Sequence, residues 1–388
     1  MLAAMESLYR RPLPAQLVAF ASPEGRALFD AARAAGGMEA FFPLIEQFHT
    51  QAEPAFCGLG TLVVTLNALG VDPGRLWKGP WRWFSEELLD CCSPLERVRA
   101  RGITLDEFAC LARCNGASAE LCRPDLHDVA ALRAQLRDAA GSALAPALVV
   151  SYHRGALGQT GEGHFSPIGG YDPASDHALV LDVARFKYPP HWVPVPLLHA
   201  AMLPIDGSTG RPRGWVALRR SSRPASLLFT AHCVGPGGLE SVLAGLEQWR
   251  AALVRGPVAD LPTALRTSFA AADGLPLTFA RRELALAEHG AAAQTLLAAL
   301  HEAPVYRRVS ELVPASLSAE VATLLLLTLP DELWSPLPAP VREELRELLA
   351  AERQPLELRA EVEHLRRQLA DLCALDRRAV CDRCAVAP

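Results

Sequence analysis

The sequence predicts an α+β domain followed by a mostly helical domain. From Leu8 to Arg219, hydrophobic residues recur at both helical and strand-like spacing, and this stretch holds most of the Trp, Tyr and His residues. The breaker cluster Ser221–Pro224 follows, and beyond it Ala, Leu, Arg and Glu recur at helical spacing. We therefore place the α+β domain at residues 1–221 and the helical domain at residues 222–388.

The composition is that of a folded chain without a nucleic-acid or membrane partner. Half of the 388 residues are apolar and 21% are charged, which excludes disorder as the dominant state. The net charge of -5 and the scattered Lys and Arg residues offer no basic face for a phosphate backbone. The longest apolar runs, such as Val321–Leu329, fall short of the ~20 residues that span a bilayer. No signal-peptide core follows Arg10 and Arg11, so we expect a cytoplasmic protein whose ten cysteines are reduced thiols.

A buried helix is predicted to begin at Cys57. Apolar residues lie on one face from Leu59 to Leu69, and Gly70 ends the pattern. A thiol in the first turn meets unpaired backbone N–H groups and the positive end of the helix dipole, and both favour the nucleophilic thiolate. Gln51 precedes Cys57 by six residues, so its amide is a candidate donor to an oxyanion. The alternative is a buried cysteine that packs as a small hydrophobic residue.

A second group of polar residues lies on a predicted hairpin. The segment GHFSPIGG leads through a turn rich in Asp, Pro and Ser into ALVLDVARF. His164 and Asp182 are equidistant from Pro173, so simple antiparallel pairing brings them together, and a carboxylate beside an imidazole fixes its tautomer. Three other histidines compete for the role of base, and they are His153, His177 and His191.

Several cysteines are candidate ligands for a soft metal. Thr104 and Glu107 form a predicted capping box for a helix that ends at Gly116, and this helix places Cys110 and Cys114 one turn apart on one face. Further thiols come from two pairs, Cys91 with Cys92 and Cys381 with Cys384. No spacing matches a zinc finger, and buried reduced cysteines are the alternative.

The last predicted helix begins after Pro355. Apolar residues follow at intervals of four and three, namely Leu358, Val362, Leu365, Leu369 and Leu372. Two heptads are too few for a coiled coil, so the stripe favours a helix that packs on its own domain.

Long segments of the first domain resemble the catalytic domain of eukaryotic phytochelatin synthases. The match covers roughly residues 6–220, and the segments that carry it include QAEPAFCGLGTLVVTLNALG, LLDCCSPLERV, QTGEGHFSPIGGYDP and LVLDVARFKYPPHWVP. The resemblance implies a papain-like cysteine protease fold and a glutathione γ-glutamylcysteinyltransferase activity. It implies Cys57 as nucleophile, His164 as general base and acid, Asp182 as orienting carboxylate and Gln51 as oxyanion donor. Phe56 departs from the family, whose members usually carry tyrosine there.

The implied substrate sets further expectations. Glutathione carries two carboxylates, so we expect at least two of Arg154, Arg185 and Lys187 to face the pocket, with surface salt bridges as the alternative. Phe56 is expected to shape the acceptor side. No organic cofactor is implied. Heavy-metal ions such as Cd2+ and Zn2+ act in this family mainly as glutathione thiolate complexes, and a homodimer is compatible with the family fold.

Three functions stay open at this point. The leading hypothesis is a metal-activated transpeptidase that makes (γ-Glu-Cys)n-Gly. The second is a thiol peptidase that hydrolyses glutathione with the same residues. The third is a metal-binding sensor or buffer that has lost catalysis, against which the intact set of catalytic residues argues.

Overall fold

The computed structural model describes residues 10–73, 76–90, 93–143, 145–221, 229–233, 238–256, 258–272, 277–281, 287–329, 331–366 and 369. The chain forms two compact units, and the first is built mainly from residues before Ser222. The mixture of helices and antiparallel strands confirms the α+β prediction for this unit, and helices dominate the second unit as predicted. The predicted boundary between residues 221 and 222 stays a prediction. None of the described helices is both long and apolar enough to cross a bilayer.

The first unit contains seven α-helices within the described residues. They are α1 (Pro23–Ala34), α2 (Phe41–Gln47), α3 (Cys57–Ala68), α4 (Leu95–Arg101), α5 (Leu105–Cys114), α6 (Val129–Ala140) and α7 (Val195–Met202). Two of them confirm the predictions made from local signals. Helix α3 begins at Cys57 and is followed by Gly70 with a φ of 62°. Helix α5 begins after Thr104, whose side chain forms the predicted capping box with Glu107.

The strands of the first unit form one large antiparallel sheet and one small one. The strands are β1 (Val18–Ala19), β2 (Ala117–Cys122), β3 (Ala147–His153), β4 (Gly163–Asp172), β5 (His177–Val180), β6 (His191–Pro194), β7 (Ile205–Asp206), β8 (Arg211–Pro212) and β9 (Gly214–Arg220). The large sheet has the order β1-β6-β5-β4-β3-β9-β2, and β7 pairs with β8. Each neighbouring pair in both sheets is antiparallel.

Helices cover both faces of the large sheet. Alternate residues of β5 enter different hydrophobic clusters, with Ala178 and Val180 in one and Leu179 in the other. The first cluster includes residues of α6 and α7, and the second includes residues of α1, α2 and α3. Helix α3 is buried all round from Gly58 to Leu66 and packs on β4. The sheet and α3 therefore hold the residues at their ends in fixed positions.

The predicted hairpin is present, but the predicted pairing of its two strands was wrong. Strands β4 and β5 pair with Asp172 opposite His177, so the turn is not centred on Pro173. A β-bulge between Ile168 and Gly170 changes the register again by one residue within the hairpin. Strand β5 ends at Val180, two residues before Asp182.

Within the described residues from 229 onward, the second unit is helical except for one pair of short strands that are separated in sequence by two helices. Its elements are β10 (Phe229–Cys233), α8 (Gly238–Arg255), α9 (Leu261–Ala272), β11 (Leu277–Arg281), α10 (Ala287–Glu302), α11 (Pro304–Ser310), α12 (Ala319–Thr328), α13 (Ala339–Leu349) and a helix over 356–366. Strands β10 and β11 pair antiparallel, which the Ala- and Leu-rich composition did not predict. The helix after Pro355 is confirmed, and Leu358, Val362, Leu365 and Leu369 are buried, whereas Leu372 lies outside the described residues.

Candidate active site

One edge of the large sheet gathers the polar residues of the site. Strands β3, β4, β5 and β6 are consecutive neighbours and alternate in direction, so the ends of β3 and β5 lie beside the starts of β4 and β6. Arg154 directly follows β3, and His164 is the second residue of β4. Asp182 follows β5, and His191 begins β6. Four residues that are distant in sequence therefore converge at this edge.

Cys57 faces this edge from the first turn of α3. Gly58 allows the close packing, because a Cβ at this position would lie 2.5 Å from the side chain of Ile103. The thiol of Cys57 is half-buried, and Cys57 lines the same cavity as His164 and Phe165. Helix α3 and strand β4 thus bring a thiol and an imidazole to one cavity.

Asp182 orients the imidazole from the other side. His164 Nε2 lies 2.8 Å from Asp182 Oδ1, which leaves the second ring nitrogen for Cys57. The backbone N–H of Ala184 also donates to Asp182 Oδ1 over 2.9 Å. Both His164 and Asp182 are buried, with 3% and 0% exposure. A thiol, an imidazole and a buried carboxylate in this order are the groups that a nucleophile, a base and an orienting carboxylate require in thiol-dependent acyl transfer.

The electrostatic environment favours a thiolate and an imidazolium. Burial raises the pKa of Cys57, but the hydrogen bond and charge of His164, the Phe165 backbone and the charge of Arg154 together lower it below its ordinary value. Burial and the charge of Arg154 lower the pKa of His164, whereas Asp182 and Cys57 raise it, and the net direction is upward. A lowered thiol pKa beside a raised imidazole pKa is the condition for an ion pair between them.

A pH profile of alkylation checks this ion pair. Iodoacetamide is expected to modify Cys57 at pH 6 at least about tenfold faster than it modifies a free thiol, because only the thiolate reacts. Cys122 provides an internal comparison, since it is buried and burial raises its pKa. Mass spectrometry of the two cysteine peptides measures both rates in one sample. Equal rates for Cys57 and a free thiol at every pH would contradict the ion pair.

Arg154 is the second partner of Asp182. Its Nη2 lies 2.8 Å from Asp182 Oδ2 and 2.9 Å from Oδ1. Its guanidinium carbon lies 5.1 Å from the centre of the Tyr188 ring. Burial raises the pKa of Asp182, but the charges of His164 and Arg154 outweigh it and hold that pKa well below its usual range.

A cavity of about 400 Å3 opens beside Cys57 and His164. Its charged lining residues are of both signs, with Arg101, Arg154, Lys187 and Arg213 as cations and Glu107, Glu162 and Asp206 as acids. Burial and the charge of Arg154 lower the pKa of Lys187. The cavity therefore has groups that suit a ligand with both carboxylates and an ammonium.

Two of the four predicted substrate residues line the cavity, and two do not. Arg154 and Lys187 line the cavity, although Arg154 is already paired with Asp182. Arg185 and Phe56 are not among the lining residues. The Arg185 guanidinium instead lies 5.1 Å from the centre of the Phe48 ring. Phe56 is buried, with Arg99 5.9 Å from its ring centre.

Gln51 holds the segment that leads to the nucleophile. Its Nε2 donates to the carbonyls of Glu53 and Pro54 over 2.8 and 2.9 Å, so both N–H groups are used. Its backbone N–H donates to Val183, next to Asp182. Donation to an oxyanion requires Gln51 to give up one of its side-chain bonds.

The predicted metal ligands are not gathered in the described part of the chain. Cys110 and Cys114 are buried within α5. Among the residues that the structure describes, no group of three or more His, Cys, Asp or Glu residues is arranged to hold a metal ion. Cys91, Cys92, Cys381 and Cys384 lie outside the described residues.

Some residues of the site escaped sequence reasoning. Gln159 and His191 connect to Arg154 by hydrogen bonds, and Arg101 and Arg213 line the cavity. His191 was considered only as a competitor of His164. For His191 and Arg213, which lie at the start of β6 and directly before β9, the available signal was a position at a strand end, where neighbouring strands bring side chains together.

Most of the first unit also matches a known protein family. A family model described as phytochelatin synthase matches residues 8–215, which is more than half of the chain. The chain belongs to the phytochelatin synthase family. A second model, described as a domain of unknown function, matches residues 304–369.

Three relatives of this family illustrate the extent of the match. A protein from Lotus japonicus named glutathione gamma-glutamylcysteinyltransferase 3 is 52% identical over 231 residues, which cover 59% of this chain and 48% of the relative. One from Triticum aestivum is 54% identical over 237 residues, which cover 61% of this chain and 47% of the relative. One from Schizosaccharomyces pombe is 44% identical over 233 residues, which cover 58% and 54%. The chain thus spans about half the length of the curated relatives it matches.

Proposed function

We propose that this protein is a glutathione γ-glutamylcysteinyltransferase that makes phytochelatins, (γ-Glu-Cys)n-Gly, and releases glycine. The observation that carries the proposal is the aligned Cys57, His164 and Asp182 beside a cavity of mixed charge. Membership of the phytochelatin synthase family, whose relatives carry the name of this transferase, supports it. The proposal includes a papain-like arrangement of the first unit.

The first half-reaction forms a thioester. The thiolate of Cys57 attacks the carbonyl carbon of the Cys-Gly amide of glutathione, and a tetrahedral oxyanion forms. Backbone N–H groups in the first turn of α3 are candidate donors to this oxyanion, and Gln51 is a second candidate. The imidazolium of His164 gives its proton to the leaving nitrogen, the C–N bond breaks, and glycine departs. The γ-glutamylcysteinyl group is then bound to the sulfur of Cys57.

The second half-reaction transfers this group to an amine. The α-amino nitrogen of a second glutathione, or of a growing chain, attacks the thioester carbonyl. Neutral His164 takes the proton of the attacking amine, while Asp182 stabilises the imidazolium that results. The C–S bond breaks and returns Cys57 to the thiolate, so the enzyme is restored with one peptide bond exchanged for another. Water in place of the amine gives hydrolysis instead.

The charged lining residues supply a binding scheme for glutathione. Lys187, Arg101 and Arg213 are proposed to pair with substrate carboxylates. Glu107 already accepts from Arg101 at 2.7 Å, so this pair presents both signs of charge at the cavity wall. Asp206 offers a partner for a substrate ammonium. Arg154 is proposed to act through its electrostatic field, because Asp182 already occupies its guanidinium.

Heavy-metal ions are proposed to act as part of the acceptor substrate. Cd2+ and Zn2+ bind thiolates, so a glutathione thiolate complex of either ion brings amines to the thioester with its thiol blocked. This scheme requires no metal bound by the protein. Thiols that lie outside the described residues, including Cys381 and Cys384, are proposed at most as auxiliary ligands.

A product assay tests the proposal. The purified full chain is incubated with millimolar glutathione, with and without Cd2+, and glycine and thiol peptides are measured by chromatography and mass spectrometry. We expect peptides longer than glutathione that depend on Cd2+, with one glycine released per peptide bond transferred. The Cys57→Ser variant provides the background.

Two results would contradict the transferase proposal. Glycine release with γ-glutamylcysteine as the sole product would mean that water outcompetes the amine, and the function would be glutathione hydrolysis. Metal binding with unchanged stoichiometry in Cys57→Ser, and no glycine release by either protein, would indicate a metal buffer.

A further inference from the structure

A chain of buried side chains continues from Arg154 away from the nucleophile. Arg154 Nη1 donates to Gln159 Oε1 over 2.6 Å. Gln159 Nε2 lies 3.2 Å from His191 Nε2, and His191 Nδ1 lies 2.8 Å from the carbonyl oxygen of Pro189. The series Asp182–Arg154–Gln159–His191 is therefore linked by hydrogen bonds from the carboxylate to the backbone at the start of β6.

The protons of this chain have one consistent arrangement. The carbonyl of Pro189 only accepts, so Nδ1 of His191 carries the hydrogen. The Nε2 of neutral His191 then accepts from the amide N–H of Gln159, and the amide oxygen of Gln159 accepts from Arg154. Burial lowers the pKa of His191 below its ordinary value, in agreement with the neutral ring.

Because these three side chains are buried, a polar group among them that lacked a hydrogen bond would destabilise the folded protein. Arg154, Gln159 and His191 have 3%, 4% and 0% exposure. Apolar residues of similar size would fill the same space without the desolvation of three polar groups. His191 is also fixed by the sheet, since it lies opposite Val180 of β5 and Ala19 of β1. The position of Arg154 thus depends on a group that the sheet holds rigidly.

We propose that Gln159 and His191 are positioning residues that fix the guanidinium of Arg154 against Asp182 and thereby keep Cys57 reactive. The inference deepens the proposed function, because it rests on the use of Cys57 as the nucleophile. The side-chain hydrogen bonds of Gln159 and His191 described above do not include Cys57 or His164. Both residues act through Arg154, which lines the same cavity as Cys57 and His164. The charge of Arg154 lowers the pKa of Cys57, which favours the thiolate, and it also lowers the pKa of His164.

Other charged and titratable groups act on the same cation and must be kept unchanged in the test. Tyr188 lies under the Arg154 guanidinium, and Thr160 holds the Tyr188 hydroxyl by its backbone N–H over 2.8 Å. The ammonium of Lys187 and the phenol of Tyr152 also interact with Arg154. None of these groups bonds to Gln159 in the part of the chain that the structure describes, so changes at Gln159 leave them in place.

Alkylation of Cys57 tests the proposal without any assumption about the substrate. In the full-length Gln159→Leu protein, Arg154 Nη1 loses its acceptor while Nη2 keeps Asp182. The rate of iodoacetamide modification of Cys57 at pH 6 is expected to fall about threefold to tenfold. His191→Leu is expected to give the same direction of change. His191→Gln restores an acceptor close to the position of Nε2, so it is expected to recover most of the loss.

A matched control separates positioning from general stability. His199 Nε2 donates to the carbonyl oxygen of His127 over 2.9 Å, and this bond does not involve Arg154. His199→Leu is expected to lower the melting temperature while leaving the Cys57 alkylation profile unchanged. If Gln159→Leu does not fold, Gln159→Asn replaces it, because the shorter amide cannot reach both Arg154 and His191.

The outcomes are distinct from those of the product assay. A wild-type alkylation profile in folded Gln159→Leu and His191→Leu proteins would overturn the positioning role, whatever reaction the protein catalyses. A slowed Cys57 with rescue by His191→Gln would support it, even if glutathione proved not to be the substrate.

Discussion

Replacement of Cys57 by serine is expected to lower the rate of glycine release from glutathione by at least about 10⁴-fold. His164 and Arg154 lower the pKa of the Cys57 thiol, which favours the reactive thiolate. A serine hydroxyl ionises far less readily than a thiol, so no oxyanion–imidazolium pair forms in its place. Free glycine measured over time with millimolar glutathione and Cd2+ gives the rate.

Folding and activity are separable in this experiment. Cys57 is half-buried and the substitution is small, so the free energy of unfolding is expected to change by less than about 1 kcal/mol. Cys122→Ala is the matched control, because Cys122 is a buried thiol on β2 that is absent from the cavity lining. This control is expected to retain glycine release. If Cys57→Ser retained glycine release and Cys122→Ala lost it, the assignment of Cys57 as the nucleophile would be wrong.

Local signals were sufficient to predict the elements that carry the nucleophile. The capping box of α5 joins two residues three positions apart, and α3 was predicted from an apolar pattern that Gly70 ends. Both signals lie within one stretch of sequence, so they can be recognised without knowledge of the rest of the fold. The helix after Pro355 follows for the same reason, because its apolar stripe and its proline are adjacent.

The proximity of His164 and Asp182 was predicted correctly, but for an incomplete reason. Equal distances from Pro173 assumed an unbroken hairpin, whereas the bulge between Ile168 and Gly170 shifts the register. Asp182 reaches His164 because the chain leaves the sheet after β5. No pattern in the sequence specifies a bulge of this kind without the packing around it.

The partners of Arg154 and Gln51 show where sequence reasoning stops. Arg154 was predicted to face the pocket as a substrate cation, yet its nearest charge is Asp182, 28 residues away in sequence. Gln51 was predicted to donate to an oxyanion, yet it donates to Glu53 and Pro54. Residue type predicted what each side chain is able to do, whereas its actual partner depends on which strands are neighbours.

Arg154→Leu is expected to lower the free energy of unfolding by about 3–5 kcal/mol. The substitution removes one partner of a fully buried carboxylate and leaves Asp182 with His164 and the Ala184 backbone. It also raises the pKa of Asp182, because the neighbouring cation is lost. Denaturation by urea at pH 7, followed by tryptophan fluorescence, measures the loss.

Two measurements show whether Arg154→Leu destabilises the protein by leaving a buried charge or by removing packing. They are the pH dependence of the free energy of unfolding and the effect of a second substitution, Asp182→Asn. The pKa of Asp182 is held low in the folded wild type, so its stabilisation is present at neutral pH and is lost only as the pH falls below the unfolded value of about 3.9. In Arg154→Leu the raised pKa lets Asp182 take up a proton as the pH falls, so the stability deficit is expected to shrink in acid. Adding Asp182→Asn removes the charge altogether and is expected to recover at least about 1 kcal/mol at pH 7.

An exposed ion pair provides the control for this substitution. Arg219 pairs with Asp138 at 3.1 Å, and both side chains are more than half exposed. Arg219→Leu is therefore expected to change the free energy of unfolding by less than about 1 kcal/mol. A deficit in Arg154→Leu that is independent of pH and is not reduced by Asp182→Asn would mean that the guanidinium acts by filling space. Its charge would then have no part in holding the carboxylate that orients His164.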